Sequence, residues 1–178
     1  MTKFKAGDII AFSGKSLFSK LIKLKTHSDI SHVGIIIIEN GEPIICESTT
    51  LADLPDHYTG KIIKGVQKHL LSDRVNSYNG KVYHVPLQVP LKNKEAMLEW
   101  LDTIHSKEVK YDLKQALYSG LYIKDFFGSK ENLDKLFCSE LCCKALQIDG
   151  CMPSSINPSA INPEEFQSRD EFRILLNG

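Results

Sequence analysis

The stretch "SHVGIIIIENGEPIICES", residues 31–48, contains two β-branched runs joined by Asn40-Gly41. Asn-Gly between such runs is the strongest short-range signal for a β-hairpin. With Asn40-Gly41 at the centre of a two-residue turn, Glu39 pairs with Glu42, Gly34 faces Glu47 and His32 faces Thr49. Side chains alternate along a strand, so His32 and Gly34 share a face and Glu47 lies on it as the diagonal neighbour of His32. Gly34 is expected to leave the space opposite Glu47 open. A four-residue loop about the same centre preserves this register; a bulge would destroy it.

An imidazole beside a carboxylate is the base-plus-orienter half of a nucleophilic triad. A nucleophile is found in "LFCSELCCKALQIDG", residues 136–150, where Leu141, Ala145, Leu146 and Ile148 predict a buried helix starting near Cys138. That start places the Cys138 thiol in the first turn. There unpaired N–H groups and the helix dipole favour a thiolate, and backbone N–H groups nearby are positioned to stabilise an oxyanion. Cys142 and Cys143 lie a turn further in and read as core packing.

The rest of the chain bounds the setting. At 178 residues and 20.0 kDa it is expected to form one domain, residues 1–178, with 42% apolar and 25% charged residues in ordinary globular proportion. Lys plus Arg and Asp plus Glu both number 22, so no basic field points to nucleic acid. "MTKFKAGDII" lacks the apolar core of a signal peptide and "VGIIII" is too short to span a bilayer. The expectation is a cytoplasmic protein without a transmembrane segment; delivery by lysis or by a phage stays open. Five cysteines without regular spacing read as reduced thiols.

"GDIIAFSG" predicts a first strand and "KSLFSKLIKLKTH" an amphipathic helix. "GVQKHLL" and "KVYHVPL" are expected to form a second strand pair, separated by turn residues Asn76, Asn79 and Gly80. "NKEAMLEWLDTIHS" and "KQALYSGLYIKDFFG" read as helical, and "NPEEF" as a helix start with Asn162 as N-cap, Pro163 in the first turn and Glu165 closing a capping box. Helices and strands are segregated, which gives an α+β class with a mostly antiparallel sheet.

Competing chemistries fit less well. Adjacent Cys142 and Cys143 point to different helix faces, and Cys46 and Cys151 make no ligand pair, so no metal site is expected. No C-x-x-C motif occurs. "SGKS", residues 13–16, lacks the glycine that a phosphate loop requires at Ile9 and reads as a turn.

"GDIIAF", "SHVGIII", "ICES" and "FCSELCCKAL", in that order, resemble the circularly permuted papain-like branch of the NlpC/P60 superfamily, the group of YiiX/YaeF-like amidases. The resemblance runs from Gly7 to about Phe166, with its specific matches confined to these blocks. It implies a cysteine helix C-terminal to the histidine strand, with Cys138 as nucleophile, His32 as base and Glu47 as the polar third member. It also draws Tyr111, Asp112 and Ser139 towards substrate binding, and makes "NPEEF" a structural cap. The implied activity is cleavage of an amide, isopeptide or ester bond through an acyl-enzyme, without cofactor. The implied partner is a peptide, isopeptide or lipid acyl substrate. An acyltransferase with the same triad, or a non-catalytic binding module of the same fold, are the alternatives. Residues 51–91 match no block of the family and are where specificity is expected; oligomeric state is not legible.

Overall fold

The computed structural model describes residues 4–14, 29–49, 54–107, 133–158, 161–169 and 172. Five strands form one antiparallel sheet: β1 (Ile9–Gly14), β2 (His32–Glu39), β3 (Glu42–Thr49), β4 (Gly65–Leu70) and β5 (Gly80–Val85), in the spatial order β4-β3-β2-β1-β5. The described helices are α1 (Leu71–Asn76), α2 (Lys94–Ser106), α3 (Leu133–Asp149) and α4 (Glu165–Ser168). The class is α+β, as expected. The segments "KSLFSKLIKLKTH" and "KQALYSGLYIKDFFG", expected to be helical, lie outside the described residues.

The β2–β3 hairpin forms in the expected register, from Glu39↔Glu42 to Ile35↔Cys46. Asn40 (φ 51°) and Gly41 (φ 84°) both take positive φ, the backbone of a type I′ turn whose twist matches that of the strands. Ile35, Ile36 and Ile37 are fully buried, so this run is covered on both faces of the sheet. One face carries the main core, in which α3 packs on β2, β3 and α2. On the other, Ile10, Phe12, Ile36, Ile45 and Leu71 make a smaller cluster.

The structure corrects the expected second strand pair. β4 and β5 do not bond to each other: β4 extends the sheet beyond β3, β5 extends it beyond β1, and helix α1 stands between them in the chain. Two runs of similar pattern separated by polar residues fit either a hairpin or opposite edges, and here they form opposite edges. Ser13 and Gly14 are the last residues of β1, as the strand reading of "GDIIAFSG" has them and against the turn reading of "SGKS".

Gly34 also departs from expectation. A Cβ there would meet Ile45 Cδ1 and Cγ1 at 2.7 Å and Cys46 O at 3.2 Å, so the space in front of Gly34 is filled by the neighbouring strand's isoleucine. Gly34→Ala is expected to cost ~1–3 kcal/mol, the usual range for overpacking, measured as a drop in the urea midpoint. Ile45→Val in the same chain should relieve part of it; an alanine variant as stable as the wild type would contradict the close packing.

At the C-terminal end, the Glu165 carboxylate accepts the Asn162 N–H at 2.8 Å, one arm of the expected capping box. The helix itself begins at Glu165, so Pro163 precedes it rather than sitting in its first turn.

Candidate functional site

His32 opens β2 and Glu47 lies near the end of β3, so the hairpin register alone brings them together. His32 Nε2 and Glu47 Oε2 are 2.6 Å apart. A carboxylate only accepts, so Nε2 carries a proton and donates, which leaves Nδ1 as the nitrogen that can exchange a proton with Cys138. Cys138 lies close enough to His32 to be, after burial, the largest influence on the ring. Cys138, His32 and Glu47 thus form a continuous chain. His32 side-chain exposure is 14%, whereas Cys138 and Glu47 are wholly buried.

The helix bearing the thiol is longer than expected. α3 begins at Leu133, which puts Cys138 in its second turn rather than its first. The unpaired amides of a helix start belong to the first turn, so neither the dipole advantage nor an oxyanion hole at the helix start applies to Cys138. What makes this thiol different from its neighbours is its contact with His32. Cys46, Cys142 and Cys143 are buried too, but burial pushes Cys46 and Cys143 up to about 12 and Cys142 well above its ordinary value. Cys143 instead contacts Met152 Sδ at 3.2 Å. Ser139 is buried and its hydroxyl donates to the Ile161 carbonyl at 2.6 Å, tying α3 to the segment before α4. Tyr111 and Asp112 lie outside the described residues.

Charge explains how Glu47 remains a carboxylate. Burial would raise its pKa, but the Arg74 guanidinium, the largest opposing influence, and the bond from His32 bring it down to about 2. Arg74, on α1, donates from Nε to Oε1 at 2.5 Å and from Nη2 to Oε2 at 3.2 Å. Its guanidinium carbon lies 4.7 Å from the Phe12 ring centroid and 5.1 Å from that of Tyr78. Phe12 also flanks the His32 ring, with centroids 5.5 Å apart. Burial likewise lowers His32, but Cys138 and Glu47 outweigh it and hold it at about 9.

These shifts define a pH window. The Glu47 contribution to stability is fully present above its ordinary value of 4.5 and is lost as pH falls through about 2. The His32 contribution is fully present below its ordinary value of 6.5 and is lost as pH rises through about 9. Both are therefore complete between 4.5 and 6.5. The stability difference between wild type and His32→Gln, from urea unfolding, is expected to be greatest inside that window and to shrink towards pH 9; a difference independent of pH would contradict the ion pair.

Sequence reading missed Arg74 and His69. His69, on β4, is buried, with Nε2 2.9 Å from Gln67 Oε1 and 3.8 Å from Glu47 Oε1, and Nδ1 3.2 Å from the Pro55 carbonyl. Glu47 pairs with Gln67 across β3 and β4, so polar Gln67 and His69, two residues apart, share the Glu47 face. That alternation was the available signal, but it points to Glu47 only once β4 is placed beside β3.

A second polar group lies across the sheet from this site. Asp56 accepts from the backbone of Tyr58, Thr59 and Lys68 and pairs with His105 Nε2 at 2.7 Å. Lys68 pairs with Asp102 and, at 3.5 Å, with Glu39. These bonds fasten the loop before β4 to that strand and to α2.

No family model matches the chain. It is 43% identical over 44 residues to an uncharacterised protein of Escherichia coli K12, YiiX, the match covering 25% of this chain and 22% of that relative. A crystal structure of YiiX from Escherichia coli O157:H7, described as a metalloprotein, aligns with a TM-score of 0.46 and 24% identity, over 84% of this chain and 68% of that one. Among the described residues, no group of three or more His, Cys, Asp or Glu side chains is arranged to hold a metal ion, and no helix is long and apolar enough to cross a membrane.

Proposed function

We infer that this chain is a cysteine hydrolase of the circularly permuted papain-like, NlpC/P60 type, cleaving an amide, isopeptide or ester bond. The observation that carries the reading is the unbroken chain of contacts from Glu47 through His32 to Cys138. The histidine strand preceding the cysteine helix, and the local similarity to YiiX, are in keeping with it.

In this reading the Cys138 proton rests on His32 Nδ1, and the sulfur of that ion pair attacks the acyl carbonyl. The imidazolium, held by Glu47, gives its proton to the departing amine or alcohol, leaving a thioester on Cys138. Water, deprotonated by the same imidazole, then releases the acid and restores the thiol. A transferase would differ only in passing the acyl group to an amine or a lipid hydroxyl.

The test is intact-mass measurement after incubation with a panel of activated acyl and peptidyl esters. Wild-type protein is expected to gain one acyl mass that peptide mapping places on Cys138, and the mass gain is expected to decay in water. Decay accelerated by an added amine, with the amide as product, would assign the transferase instead. No adduct with any ester, together with unselective alkylation of Cys138, would favour a binding module and sink the enzymatic reading.

A further inference from the structure

Arg74 stands one residue beyond the proposed triad, bonded to Glu47 and stacked on Phe12 and Tyr78. It grips both oxygens of Glu47, the group that orients His32. We propose that Arg74 is a positioning residue, fixing the orientation and the charge of the Glu47 carboxylate on which the His32–Cys138 pair depends. The proposal rests on the hydrolase reading for its relevance to catalysis.

Glu47 is wholly buried, and an unpaired carboxylate there would take up a proton or turn towards another donor. The groups facing it are His32 from β2, His69 from β4 and Arg74 from α1; Cys138 of α3 reaches it through His32. Burial holds His69 below its ordinary value, so it is a poor source of positive charge. Arg74 is therefore the permanent cation of the group. With it, the four groups balance to zero whichever of Cys138 and His32 holds their shared proton. Without it, the cluster carries a buried excess of negative charge.

The geometry matches a positioning role. A guanidinium binding side-on through Nε and one terminal nitrogen fixes the plane of the carboxylate, which a point charge does not. The guanidinium is itself held between the rings of Phe12 and Tyr78. Oε2, which accepts from His32, also accepts from Arg74 Nη2, so movement of either donor is felt by the other.

Loss of Arg74 acts in one direction by either of two routes. If Glu47 stays charged, its unbalanced field opposes thiolate formation; if it takes up a proton, His32 loses its anchor and the imidazolium weakens. Both make Cys138 harder to ionise. The test is the iodoacetamide alkylation rate of Cys138 against pH, read by peptide mass, for wild type, Arg74→Met, Arg74→Lys and Arg74→Met/Glu47→Gln. In Arg74→Met the midpoint is expected to rise by about one pH unit, roughly a tenfold loss of rate below the wild-type midpoint. Arg74→Lys, which keeps the charge without the fork, should recover part of that shift.

An unmoved midpoint in a folded Arg74→Met protein would overturn the proposal. Where that variant does not fold, the double variant, neutral at both positions, carries the test. It is expected to lose selective Cys138 alkylation at neutral pH, and wild-type reactivity in it would equally overturn the proposal. The two readings fail separately. Wild-type protein that forms no acyl adduct, yet has an Arg74-dependent alkylation profile, refutes the hydrolase and leaves the positioning role intact.

Discussion

Cys138→Ala should leave no acyl-enzyme with any ester, and His32→Ala should slow acylation by roughly 10²–10⁴-fold, the usual worth of a positioned proton-transfer group. The two variants fail for different reasons. Alanine at 138 removes the sulfur that bonds to the acyl carbon. Alanine at 32 leaves the sulfur but removes the imidazole beside it. Such a thiol would resemble Cys46 and Cys142, whose burial without a histidine partner drives them far from ionisation at neutral pH. The discriminating measurement is rate against pH. Wild-type acyl transfer needs the imidazolium as acid for the leaving group, so it should fall as pH rises through about 9, the value at which His32 loses its proton. Alkylation by iodoacetamide needs no such acid and should continue to rise. Activity persisting in Cys138→Ala would remove the nucleophile from the proposal.

How much of this was legible in the sequence follows from the range of each interaction. The β2–β3 hairpin is local: Asn40-Gly41 sets the turn, the turn sets the register, and the register places Glu47 within hydrogen-bond reach of His32. α2 was equally readable, because the apolar spacing of Met97, Leu101 and Ile104 and the Asn93 side chain accepting from the Ala96 N–H lie within one segment. The start of α3 was not. Leu133 to Phe137 precede the cysteine cluster with helix-compatible residues, and the reading began the helix where the dense apolar pattern began. Arg74 was invisible for a different reason. It reaches Glu47 only because β4 pairs with β3 and α1 follows β4 directly, and partnership between strands separated by residues 50–64, Glu47 against Gln67 and Thr49 against Gly65, is not a local property. A buried cation is found from the structure or from its partner's need for one; the sequence around it, "HLLSDRVN", reads as ordinary surface.

The same need gives the largest stability effect. Arg74→Met removes one partner of a buried ion pair and should cost ~3–5 kcal/mol, which for a chain of this size corresponds to a fall in Tm on the order of 10 °C. The cost arises from what is left behind, since Glu47 has no exposed surface from which water could solvate it. The second-site variant follows from that. Glu47→Gln in the Arg74→Met background replaces the orphaned charge with a neutral amide of the same shape and should recover most of the loss, although Glu47→Gln alone would leave Arg74 beside a group that no longer balances it. The pH dependence has a definite sign. In the wild type Glu47 stays ionised down to about 2; in Arg74→Met its pKa should lie above the ordinary value, so lowering the pH neutralises the orphan and narrows the gap between the two proteins. Urea unfolding at neutral pH and near pH 4 measures both effects. A gap that stays constant between these conditions, or a double variant no more stable than Arg74→Met, would mean that the loss came from guanidinium packing against Phe12 and Tyr78 rather than from the charge on Glu47.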